Sequence, residues 1–138
     1  MLMISSEYKE LYDEKWIYEN LKNKNHEFVI LYQIIPWQKI SDHLKHYYSD
    51  IKGRPSLNLC MMTGLLILGK LRGIGDKKVL ELVLENQYAR YFCHVKPDDM
   101  ILCDRTSLVR FRNRIGVQGV HFIESAIFYE LRKAGVIQ

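Results

Sequence analysis

The sequence predicts an all-α chain, a compact multi-helix bundle of about six helices packed around one central apolar helix. Three observations predict it. The stretch Ser56 to Leu71, SLNLCMMTGLLILGKL, is apolar on nearly every side of a helical wheel, so it needs neighbours all round. The segments flanking it bring apolar residues round at spacings of three and four, the period of a helix. At 138 residues and 48% hydrophobic, the chain has the size and composition of one domain with a sizeable core.

Taking the elements in order, residues 6–24 contain neither glycine nor proline and place Tyr8, Leu11, Tyr12, Trp16, Ile17 and Leu21 at helical spacing. They predict a long helix, and residues 1–25 are read as a helical extension ahead of a main domain at 26–138. Glu27 to Ile35 is a short apolar segment stopped by Pro36, which biases the residue before it away from helix. Pro36 suits the first turn of the next helix, Trp37 to Tyr48, with Ile40, Leu44, Tyr47 and Tyr48 inward. His43 and His46 stand one turn apart on it; without a third ligand nearby they read as ordinary surface histidines.

Ser56 is placed to cap the central helix, and the run Arg72, Gly73, Ile74, Gly75 ends it. Asp76 is expected to cap the following helix, KKVLELVLENQYARYF, so that the two make a helix-turn-helix-like corner. Cys93 to Cys103 reads as a loop around Pro97, Asp98 and Asp99. A further helix opens at Asp104, with Leu108, Phe111 and Ile115 as a narrow apolar stripe, and a last one runs from Val117 to Ala134 with Val120, Ile123, Ile127, Phe128 and Leu131 inward.

Composition narrows the function classes. The central run is shorter than the roughly 20 residues needed to cross a bilayer, and the first residues do not form a secretory signal. Three cysteines without paired spacing fit reduced thiols and a cytoplasmic location. Cys93, His94, Cys103 and Asp104 lack the spacing of a structural zinc site, and Asp98 and Asp99 read as turn formers; no cofactor or metal is implied, and no small-molecule substrate. The overall charge of +4 is unevenly spread, because residues 1–35 carry four lysines against six acids. The basic excess lies in the remainder, which permits a nucleic-acid partner.

The stretch that carries chemistry is DRTSLVRFRNRI, Asp104 to Ile115. With its apolar stripe docked, Thr106, Arg110 and Asn113 face the opposite side, with Arg105 and Arg112 on one flank and Arg114 on the other. Arginine forks suit phosphate oxygens and the guanine edge, and asparagine suits adenine, so the wheel is that of a groove-reading helix; a solvated arginine face stands beside it as the plain alternative. Lys70, Arg72, Lys77 and Lys78 cluster at the corner after the central helix, where basic residues hold phosphates without reading sequence.

The segments YSDIKGRPS, the apolar helix, GIGD, Glu85-Asn86, Tyr91-Phe92 and Asp104 to Arg112 together resemble, in order, the N-terminal domain of bacterial insertion-sequence transposases, from about Phe28 to Ile137. In that family an all-helical domain precedes an RNase H-like core that uses three acidic residues and divalent metal. The resemblance implies a module that binds double-stranded DNA at terminal inverted repeats through Arg105, Thr106, Arg110, Arg112, Asn113 and Arg114, with Arg54, Lys70, Arg72, Lys77 and Lys78 on phosphates. Two departures matter. Arg105 stands where the family commonly has histidine, and Ala134 to Ile137 resembles the lead-in to the first catalytic strand, beyond which this sequence holds no catalytic acid. The resemblance therefore implies no strand-transfer activity, and Asp98, Asp99 and Asp104 take no metal-binding role. The competing reading is a helical oligomerisation or interdomain module, with a second copy as partner, or a truncated remnant without specific DNA affinity.

Overall fold

The computed structural model describes residues 18–48, 58–95 and 103–136. Among them, after the helical residues 18–20, the chain forms six α-helices and one 3-10 turn, with no strand: α1 Glu27–Ile34, α2 Trp37–Leu44, the turn Lys45–Tyr48, α3 Leu59–Arg72, α4 Asp76–Glu85, α5 Gln87–Phe92 and α6 Arg105–Lys133. The fold is all-α, as the periodicities predict. Most of the N-terminal extension, Arg54, Ser56 and the Pro97 loop lie outside the described residues.

α3 is the centre. α2, α4 and α6 all pack on it, α1 lies against α5, and α4 touches α5 and α6. Met62, Leu65 and Leu68 of α3 are fully buried in one cluster with Phe28, Leu44, Phe92, Leu108 and Phe111. The cap of α3 differs from expectation: Asn58, not Ser56, accepts the Met61 N–H at 3.0 Å, so the helix starts nearer its apolar run. Its other end is closed by Gly73 in the left-handed conformation, φ 63 and ψ 38. Gly64 marks where α3 meets the end of α5, because a Cβ there would stand 3.0 Å from the Cα of Cys93.

Several boundaries move for identifiable reasons. Of the helix expected over 6–24, residues 6–17 lie outside the described residues; 18–20 are helical, and the chain leaves the helix after Asn20, where Asn23 N–H donates to the Tyr88 hydroxyl at 2.9 Å and Asn25 N–H to the Asn23 side chain. The helix expected from Trp37 to Tyr48 tightens into the 3-10 turn after Leu44. The one helix expected from Lys77 to Phe92 is two, because Asn86 is extended and its side chain caps α5 through the Tyr88 and Ala89 N–H groups. Asp76 does not cap α4: Gly75 holds that position without a side-chain bond, and Asp76 is the first helical residue.

α6 contains the two helical segments expected on either side of Gly116, run together across a kink at that residue, φ 63 and ψ −170. Leu108, Phe111 and Ile115 are buried as the stripe requires. In the second half Ile123 and Ala126 are buried, whereas Phe128, expected inward, is 51% exposed, because no described element covers that side of α6.

Candidate nucleic-acid interface

The first half of α6 begins at an anchored end. Asp104 accepts the Ser107 N–H at 2.7 Å, and the Ser107 hydrogen bonds, backbone first, hold its carboxyl below the ordinary carboxylate value, helped by the charge of Arg110. With Leu108, Phe111 and Ile115 docked, the outward side carries Thr106, Val109, Arg110 and Asn113, all exposed. Val109, 38% exposed in the middle of that face, escaped the sequence reading, which sorted residues by polarity. Its wheel position, on the side away from the apolar stripe, was the available signal.

The four arginines of this segment do different things. Arg112 makes a two-pronged ion pair with Asp76, at 3.0 and 2.7 Å, tying α6 to the start of α4. Arg114, on the other flank, donates through Nε to the Tyr47 carbonyl and lies 5.5 Å from the Tyr48 ring centre. Burial raises the Tyr48 hydroxyl pKa, and the Arg114 charge opposes that shift. Arg105 and Arg110 are exposed and make no ion pair with a carboxylate among the described residues. The helix is therefore clamped on both edges by two arginines and presents the other two.

Placement of the remaining basic residues follows from these clamps. The Arg112 pair brings the start of α4, with exposed Lys77 and Lys78, to the flank of α6 that carries Arg105. Lys70 pairs with Glu124 and, with Arg112, Asn113 and His121, lines a cleft of about 490 Å³ beside Gly116. Arg72 turns away to α1, 3.4 Å from the Glu27 carboxylate and 4.6 Å above the Phe28 ring. Arg54 lies outside the described residues. The structure thus leaves Arg105, Thr106, Arg110 and Asn113 exposed on one helix, joins the start of α4 to that helix through Arg112, and turns Arg72 towards α1 and Arg114 towards the turn after α2.

Other polar groups serve packing. His43 is not an ordinary surface histidine: its ring stacks on Phe122 at 3.6 Å and 6°, joining α2 to α6. Burial, with the nearby Cys103 thiol adding to it, pushes the Cys93 thiol well above its ordinary pKa, so it stays protonated. Among the described residues no three His, Cys, Asp or Glu side chains are grouped to hold a metal ion, and no helix is long and apolar enough to cross a membrane.

The chain matches the model of a family described as Transposase domain (DUF772) over residues 16–114, ending at the last of the four arginines. It is 30% identical over 120 residues to a Rhizobium meliloti protein described as uncharacterized protein ORF8 in nfe locus. That similarity covers 83% of this chain and 51% of the relative, so the chain spans about half the length of the curated relative it matches. No solved structure matches it.

Proposed function

Because the chain belongs to the Transposase domain (DUF772) family, we propose that it is the DNA-binding module of an insertion-sequence transposase, reading terminal inverted repeats with the first half of α6. One observation carries the reading: an outward ridge of Thr106, Val109, Arg110 and Asn113 on a helix held on both edges by Arg112 and Arg114. A helix fixed in this way enters a major groove without first losing side-chain and backbone freedom. Arg110 suits the guanine edge and Asn113 the adenine edge, while Val109 and the Thr106 methyl suit thymine. Arg105, Lys77 and Lys78 flank the ridge as phosphate contacts. Lys70 and Arg72, each engaged by a carboxylate, take no part in this reading.

Fluorescence anisotropy with a terminal-repeat duplex and a scrambled duplex, over a range of salt, tests it. Three phosphate contacts give a log–log salt slope of about −3, and the repeat binds more tightly than the scramble at every salt concentration. Equal affinity for the two duplexes removes the recognition role. No binding to either at low salt removes DNA binding altogether.

A further inference from the structure

We propose that the apolar groove between α1, α3 and the second half of α6 is the seat of a second copy of this chain, docked about a twofold axis. The groove is a hollow of about 420 Å³ floored by Leu66, Ile67, Ile123 and Ile127. Leu71 and Phe128 also line it and remain 43% and 51% exposed. Single exposed apolar side chains are common on any surface, whereas here Leu71 and Phe128 open onto one shared apolar hollow.

The occupant follows from the character of the surface. A twofold contact joins one patch to itself, so the patch must carry both halves of every complementary feature. This one does. It has an aromatic ring half out in solvent at the edge of an apolar hollow wide enough to admit one. It also has one charge of each sign, Lys70 and Glu124, which pair with each other in the single chain. About a twofold axis Phe128 of each copy enters the other's hollow, and Lys70 and Glu124 exchange partners across the contact. An aromatic side chain buries about 150–250 Å² in all, and about half of the Phe128 surface is still open in the single chain to be removed from water this way.

The contact lies beyond Gly116 from the ridge of Thr106, Arg110 and Asn113, so it leaves that face clear and does not rest on the DNA-binding reading. Sedimentation equilibrium of the chain without DNA tests it, read separately from the duplex titration. The wild-type chain associates to a dimer with rising concentration. Phe128→Asp weakens the dimer by at least about tenfold, while the melting temperature at concentrations where both chains are monomeric is unchanged, because the ring is half exposed in the single chain. Lys70→Glu and Glu124→Lys each weaken it alone, and the two variants mixed associate more tightly than either, since every cross-axis pair is then attractive. A wild-type chain that stays monomeric overturns the proposal, including one that pairs only with a different protein. So does a dimer indifferent to Phe128→Asp, or a mixture that associates no better than its components.

Discussion

Arg112 and Asp76, thirty-six residues apart, meet through two parallel hydrogen bonds that fasten the arginine-bearing half of α6 to the first residue of α4. The geometry is the planar fork that arginine makes and lysine cannot. The side chains are 37% and 19% exposed, so solvent screens the pair and its coupling is about 1 kcal/mol. A double-mutant cycle with Asp76→Ala and Arg112→Ala, followed by urea unfolding, measures it; Arg112→Lys recovers only part.

Gly116 occupies a region of backbone space open to glycine alone, φ 63 and ψ −170, with nothing within 4 Å of where a Cβ would stand. Space is therefore not the constraint. Gly116→Ala is expected to destabilise the fold by about 1–3 kcal/mol through the backbone, by straightening or straining the kink. Denaturant unfolding gives the cost. Substituting exposed Val117 with alanine is the control that leaves stability nearly unchanged.

Asp104 supplies a pH dependence whose sign is determined. Its folded pKa lies below the ordinary 3.8 because Ser107 hydrogen bonds and the Arg110 charge favour the ionised form. Its contribution to stability is then complete above that ordinary value and is lost as pH falls through the lower folded value. Asp104→Asn keeps an oxygen for the cap but no proton to gain. Its melting temperature should fall less between neutral pH and the acid range than that of the wild type.

Arg110 and Arg114, one turn apart, are expected to separate by assay. Arg110→Ala should cost about 1–3 kcal/mol in duplex affinity and relax discrimination between the repeat and a scramble. Arg114→Ala removes the donor to the Tyr47 carbonyl. It should lower stability by about 1 kcal/mol, with its effect on affinity no larger than the loss of folded protein. Lys78→Ala should weaken all duplexes alike and make the salt slope shallower by about 1.

Local chemistry settled much of this molecule before any contact was known. The all-round apolar run made α3 central, the spacing of Leu108, Phe111 and Ile115 chose the buried edge of α6, Asp104 declared its start, and glycine at 116 declared its break. Each of these depends on residues within a turn or two of one another, which is why a linear reading reaches them. Asn58 is not legible as the cap because Ser56 offers equally good capping chemistry two residues away, and Asn86 is not because the helical period runs on from Lys77 to Phe92.

The division of labour among the arginines belongs to the tertiary structure alone. Arg105, Arg110, Arg112 and Arg114 are the same residue on one helix, and their wheel positions do not distinguish a clamp from a reader. What distinguishes them is that the start of α4 lies beside Arg112 and the turn after α2 beside Arg114, from thirty-six and sixty-seven residues away. The open side of Phe128 has the same origin: helical period assigns a face, but burial requires another element to arrive there.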